Sequence, residues 1–120
     1  MENRMKKVAE IFLDRQGFEV VERDFRFGSN GIIEFVAKDN DEADNTLVFI
    51  RLFWSDDPGD GFPDEDMKRA DLELGAVSYL AQHFGEDCQF RFDALSIILV
   101  REGAAAVRHH INVFGDDYVE

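Results

Sequence analysis

The sequence has a single cysteine, two prolines and no long apolar run. The lone Cys88 excludes an intramolecular disulfide and a zinc site built from cysteines, and its acidic neighbours disfavour a reactive thiolate. No segment approaches the roughly 20 apolar residues of a membrane span, and charges interrupt the first twelve residues. We therefore expect a cytoplasmic protein that neither crosses a membrane nor is secreted.

Basic residues are also scarce relative to acidic ones. The 13 Lys and Arg stand against 26 Asp and Glu, which gives a formal net charge of -13. Such a charge repels phosphate polyanions, so nucleic acid is an unfavoured partner and a basic protein a favoured one. With 120 residues and 45% hydrophobic residues, we expect one domain over residues 1–120, with an acidic tail at about 115–120.

The first half of the chain carries one helical and three strand-like patterns. A helical face ending near Gly17 is predicted from the spacing of Met5, Val8, Ala9, Phe12 and Leu13. Two strand-like segments around the sequence GSNG at 28–31 predict a β-hairpin. The segment TLVFIRLFW at 46–54 has apolar residues for both faces of a sheet, which is typical of a central strand.

A second helix is predicted to begin at about 63–66 and to end before Gly85. Pro63 and the acidic residues at 64–66 suit a helix N-terminus. The stripe expected to cover the sheet consists of Met67, Ala70, Leu74, Val77, Ala81 and Phe84. Two more strands, in QFRFDALSIILV and VRHHINVF, complete the order helix, three strands, helix, two strands.

The segments AEIFLDRQGF, RDFR, GIIEFVA, LVFIRLF, RFDALSI and HHINVF, in this order, resemble the YraN-like family of small bacterial proteins, within the PD-(D/E)xK nuclease superfamily. The resemblance spans residues 5–114. It implies a three-layer α/β/α restriction-endonuclease-like fold, with a mixed five-stranded sheet and two main helices. It also implies phosphodiester hydrolysis, in which carboxylates on the first helix and on two strands hold magnesium ions, assisted by a lysine.

The chain departs from this family at most of the site positions. Lys6 stands where the resemblance implies a glutamate, and Ile32 where it implies the first acid of the second strand, so that only Glu34 remains acidic. On the third strand, Arg51 replaces the acidic ligand and Phe53 replaces the lysine. A guanidinium beside Glu34 would occupy the place of a cation. We therefore expect no catalysis and no Mg²⁺ or Mn²⁺ cofactor.

Three functions remain open. In the first, Glu34, Arg51, Phe53 and Trp54 form a remodelled cleft that binds a protein or a small ligand. In the second, the chain is a metal-dependent nuclease with relocated acids and a relocated lysine, namely Glu34, Asp93, Asp24 and Lys38. In the third, it binds nucleic acid without cleavage through a basic patch of Arg4, Lys6, Lys7, Arg23, Arg26 and Arg51.

Two histidines and an aspartate are further candidates. His109 and His110 are adjacent and should face opposite sides of a strand, so they cannot share a metal, although their segment matches one of the family. Asp93 either supplies a displaced metal ligand or, as we expect, pairs with Arg91 or Arg101.

Two loops carry further alternatives. Trp54 either forms an exposed aromatic patch with Phe62 or is buried by the loop between them. The acidic residues at 39–44 lack the spacing and the glycine of a calcium loop, and we interpret them as a solvated loop.

Overall fold

A computed structural model describes residues 1–40, 46–83 and 89–115. The predictions for the acidic residues after residue 40, Phe84, Cys88 and the tail after residue 115 fall outside these residues. Asp39, predicted to lie in a solvated loop, is instead the last residue of a strand, and its carboxylate is 3.3 Å from Arg91. The second helix ends at Gln82, before Gly85 as predicted. No helix within the described ranges is long and apolar enough to cross a bilayer.

Two helices and five strands follow one another in the predicted order. Helix α1 is Glu2–Arg15, and strands β1, β2 and β3 are Phe18–Phe27, Gly31–Asp39 and Thr46–Ser55. Helix α2 is Arg69–Gln82, and strands β4 and β5 are Gln89–Arg101 and Ala104–His110. One short 3₁₀ turn, Pro58–Asp60, lies in the loop before α2. The prediction of a β-hairpin around residues 28–31 is confirmed.

The strands form one mixed sheet in the order β1-β2-β3-β4-β5. The β3–β4 pair is parallel and the other three pairs are antiparallel. A parallel pair needs a long crossover, which the segment containing α2 provides. α1 packs on one face of the sheet and α2 on the other, so the predicted three-layer α/β/α architecture is confirmed.

The central strand β3 contributes to both layers of the core. Val48, Ile50 and Leu52 pack with α1, whereas Leu47 and Phe49 pack with α2. This alternation follows from the two-residue period of a strand. The prediction that this strand is buried on both sides is therefore confirmed over most of its length.

Helix α2 differs from its prediction in both start and orientation. It begins at Arg69, and the described stripe residues within it are exposed rather than buried: Ala70, Leu74 at 55%, Val77 at 59% and Ala81. Met67, before the helix, is partly buried against this layer. The buried face is instead Leu72, Gly75, Ala76 and Tyr79. The physical reason is close packing. The sheet already presents large side chains to this layer, and the small residues Gly75 and Ala76 allow α2 to lie close to them.

We expect Gly75→Ala to destabilise the protein although alanine favours helices. A Cβ at Gly75 would lie 2.7 Å from the Phe27 ring and 2.9 Å from Ile33 Cδ1. Overpacking costs about 1–3 kcal/mol, whereas alanine gains about 1 kcal/mol in helix propensity. Urea denaturation should show a net loss of about 1 kcal/mol. The exposed Val77→Ala should change the free energy of unfolding by less than about 0.5 kcal/mol, and equal effects would contradict this packing.

Candidate functional site

The site positions meet where β2 and β3 stop pairing. Their ladder runs from Lys38 opposite Leu47 to Phe35 opposite Ile50. At the next position, Glu34 Oε1 accepts hydrogen bonds from Arg51 Nε at 3.0 Å and from the Leu52 backbone N–H at 3.0 Å. The side chains of Glu34 and Arg51 are 13% and 24% exposed, so this charge-assisted pair is largely shielded from water.

Arg51 and Phe53 lie on the α2 side of β3, where the cation stands 5.2 Å from the ring centroid. They border a cleft of about 480 Å³, which we call the Arg51 cleft. Its walls come from the hairpin turn, β3, the loop before α2 and the first turns of α2. It is lined by Phe27, Gly28, Ser29, Asn30, Gly31, Ile32, Arg51, Phe53, Asp66, Lys68, Asp71, Leu72 and Leu74.

Lys6, on α1, forms a second ion pair, with Asp24 on β1. Its Nζ lies 2.9 Å from Asp24 Oδ1 and 3.0 Å from Asp24 Oδ2. The hydrogen bond with Asp24 raises the pKa of Lys6 above its ordinary value. Asp24 has a φ of 53° and lies opposite Glu34, between the pairs Arg23–Phe35 and Phe25–Ile33. The carboxylates of Asp24 and Glu34 thus each contact a cation from their own chain.

These residues do not fit a magnesium ion. Such an ion takes most of its protein ligands as carboxylate oxygens, and here Asp24 and Glu34 are bound by Lys6 and Arg51. Within residues 1–40, 46–83 and 89–115, no group of three His, Cys, Asp or Glu could hold a metal. Lys38 is exposed and lies at the other end of the β2–β3 ladder, four residues along the strand from Glu34.

Asp93 is the most buried ionisable residue of a separate cluster on the α1 side. Its carboxylate, 0% exposed, accepts hydrogen bonds from Arg91 Nε at 3.0 Å, from the Asn112 N–H at 2.8 Å and from His109 Nε2 at 2.8 Å. Burial raises the pKa of Asp93, but these hydrogen bonds outweigh burial and hold the pKa below its ordinary value. The predicted pairing with Arg91 is confirmed.

The two histidines face opposite sides of the sheet, as predicted. His109 contacts Asp93 and packs edge-on against the rings of Phe12 and Phe18. His110, on the other side, places Nδ1 2.7 Å from Glu65 Oε1. Neither histidine lines the Arg51 cleft.

Glu65 lies outside the Arg51 cleft and is a largely buried acid, which the sequence predicts only as part of a helix N-terminus. Its Oε2 accepts a hydrogen bond from Ser96 Oγ at 2.6 Å and lies 3.3 Å from an Arg108 nitrogen. Burial raises the pKa of Glu65, but hydrogen bonds from Ser96 and His110 outweigh it and lower the pKa. These contacts tie the loop before α2 to β4 and β5, and no spacing in the sequence signals them.

The prediction that Trp54 shares a cleft with Arg51 and Phe53 is wrong. Trp54 is partly buried against the α1 layer, because adjacent residues of a strand point to opposite faces. Phe62 lies instead beneath Arg108, whose guanidinium carbon is 4.6 Å from the ring centroid. The alternative patch of Trp54 and Phe62 does not form either.

The predicted basic patch is divided by ion pairs. Lys6 pairs with Asp24, Arg51 with Glu34, and Arg23 with Glu10. The remaining members, Arg4, Lys7 and Arg26, are exposed.

The chain is similar to several bacterial proteins over most of its length, although no family model matches it. It is 30% identical to a UPF0102 protein of Pelobacter propionicus over 115 residues, which cover 93% of this chain and 80% of that protein. It is 34% identical to a UPF0102 protein of Beutenbergia cavernae over 107 residues, which cover 87% and 86%. With this identity and coverage, the chain belongs to the UPF0102 family, the YraN family.

Proposed function

We propose that this chain is a non-cleaving binding protein on a nuclease-like fold, which binds a partner protein or a small ligand in the Arg51 cleft. The observation that carries the proposal is the hydrogen-bonded pair of Glu34 and Arg51 at the place where the resemblance implies a metal. A guanidinium keeps its charge throughout the physiological pH range, so the ion pair of Arg51 with Glu34 is not broken by deprotonation of Arg51.

Lys6 supports the same reading from a second element. To bind the carboxylate of Glu34 or of Asp24, a divalent ion would have to displace the cation that each of them already contacts. Like charges within a few ångströms repel strongly in a partly buried site. The two ion pairs therefore stabilise the fold, and their residues take no part in hydrolysis.

The Arg51 cleft has the size and lining of a binding site. Its volume of about 480 Å³ is within the usual range for ligand sites. Phe27, Phe53 and Leu72 supply apolar walls, while Lys68 and Asp71 supply charges of both signs. A partner segment with an apolar side chain and a neighbouring basic group would match this lining, and the net charge of -13 favours a basic partner.

The proposal is tested by calorimetric titration of Mg²⁺ and Mn²⁺, with cleavage assays on branched, single-stranded and duplex DNA and on RNA. We expect no saturable metal binding below about 1 mM and no metal-dependent cleavage. The double variant Arg51→Glu, Phe53→Lys should gain Mn²⁺ binding. It adds a carboxylate beside Glu34, removes the guanidinium that now pairs with Glu34, and places a lysine where the resemblance implies one. Arg26→Glu, on the exposed part of the hairpin, is the matched control and should gain none.

Two results would overturn the proposal. Metal-dependent cleavage by the unmodified protein that Glu34→Ala abolishes would establish the nuclease with relocated acids. Salt-sensitive nucleic-acid binding that is lost in Arg4→Ala, Lys7→Ala would instead establish the nucleic-acid-binding alternative.

A further inference from the structure

A second concave surface lies on the opposite side of the sheet, between α1 and the β4–β5 hairpin. It encloses about 590 Å³, and we call it the Ile11 groove. Ile11, on α1, is 53% exposed at this groove. The groove is lined by Arg4, Met5, Val8, Ile11, Phe12, Arg15, Gln16, Leu99, Gly103, Ala104, Ala105 and Val107.

The layer geometry explains why this groove is open. Five strands spaced about 4.8 Å apart span about 19 Å between the outer strands, whereas one α-helix is about 10 Å wide. Among the described residues, α1 is the only helix on this face, and it packs on β1, β3 and β4. α1 therefore leaves the edge strand β5 uncovered, and the groove lies over Ala105 and Val107 of that strand.

The charges around the groove differ from those of the whole protein. The chain has 26 acidic residues among 120, yet none of the described residues that line the groove is acidic. Its two charged lining residues are Arg4 and Arg15, one at each end, and neither has a carboxylate partner among the described residues.

The two arginines and the apolar side chains between them form one stripe of α1. Arg4, Val8, Ile11 and Arg15 follow spacings of four, three and four residues, which place them on one helical face. Arg4 and Arg15 are eleven residues apart, or about 16 Å along the helix axis. A ligand of this groove therefore needs an apolar middle with anionic groups near both ends.

We propose that the Ile11 groove binds an amphipathic α-helix of a partner protein whose apolar stripe is flanked by carboxylates about three turns apart. A helix satisfies its own backbone hydrogen bonds, so it can lie beside β5 without pairing to that edge. Its apolar stripe contacts Val8, Ile11 and Val107, and its carboxylates meet Arg4 and Arg15. This surface is distinct from the Arg51 cleft and does not depend on the function proposed for it.

The experiment uses three designed peptides of about 18 residues, long enough for measurable helicity in water. The first has a leucine stripe with glutamates eleven positions apart, the second has lysines at those positions, and the third has a central proline. Binding is measured by calorimetry, and the site is mapped by amide chemical shifts. We expect saturable binding of the glutamate peptide, with shifts on α1 and β5, and binding at least about tenfold weaker for the other two.

Protein variants locate the site. Arg4→Glu, Arg15→Glu should weaken the glutamate peptide by about tenfold and reverse the preference toward the lysine peptide. Ile11→Asp should weaken both peptides. The matched controls Arg26→Glu and Val77→Asp, exposed on β1 and α2, should leave affinity unchanged.

Several outcomes would overturn the inference. Failure of the glutamate peptide to saturate, or equal binding by the groove variants and the unmodified protein, would show that the groove is no docking site for an acidic helix. Equal binding of the proline peptide would identify an extended ligand instead. Concentration-dependent dimers that Ile11→Asp abolishes would assign the groove to a second copy of this chain.

Discussion

Asp93→Asn is expected to lower the free energy of unfolding by about 3 kcal/mol, at the lower end of the cost of breaking a buried ion pair. Asp93 is fully buried, and Arg91 and His109 beside it are only 12% and 9% exposed in their side chains. Removal of the carboxylate charge leaves these two groups buried with poorer partners. Arg91 keeps its contact with Asp39 at 3.3 Å, which limits the loss. Urea denaturation at neutral pH measures the effect.

The control is Asp14→Asn, at an exposed position of α1, which should change stability by less than about 0.5 kcal/mol. The pH dependence is a second test. Because the folded-state pKa of Asp93 is lowered, its stabilisation is present above the unfolded pKa of about 4 and is lost as pH falls through the lower folded value. The difference between the protein and Asp93→Asn should therefore shrink below about pH 4. A constant difference would contradict the cluster.

Phe49→Ala is expected to cost about 3–5 kcal/mol, the usual range for a fully buried aromatic side chain. Phe49 is 0% exposed at the centre of the α2 layer. Its ring centroid lies 5.7 Å from Tyr79, 5.8 Å from Phe92 and 5.9 Å from Phe90. Truncation leaves a cavity that these rings, held by the sheet and by α2, can fill only in part.

Phe53→Ala supplies the comparison on the same face of β3. Phe53 is only partly buried, and its ring contacts Arg51 at the Arg51 cleft. We expect a loss of about 1 kcal/mol in the free energy of unfolding, from the cation–π contact and a small buried area. A loss as large as that of Phe49→Ala would make Phe53 a core residue and would remove it from the cleft.

Much of the fold could be predicted because its elements carry local signals. The spacing of Met5, Ala9 and Leu13 predicts the buried face of α1, and all three are buried. The turn at 28–31 and the two-sided apolar pattern of β3 are equally local. Helix α2 was harder to orient, because Leu74 and Val77 form as regular a stripe as Leu72, Ala76 and Tyr79 do, and periodicity does not say which stripe meets the sheet.

The candidate site divides in the same way. Arg51 beside Glu34 could be expected from the resemblance, since neighbouring strands bring these positions together. Glu65 could not, because its contacts with Ser96 and Arg108 join segments more than 30 residues apart. Trp54 lies on the α1 side and not in the Arg51 cleft, because adjacent residues of a strand point to opposite faces.

By itself, the sequence determined the order of helices and strands and the family resemblance, because each depends on local spacing or on residue identity. Only the tertiary structure decided which face of α2 is buried, which cation meets which carboxylate, and where α1 leaves the sheet uncovered. The reason is that packing and ion pairing depend on shape and distance between segments remote in sequence, and the Ile11 groove exists only once α1 lies on the sheet beside β5.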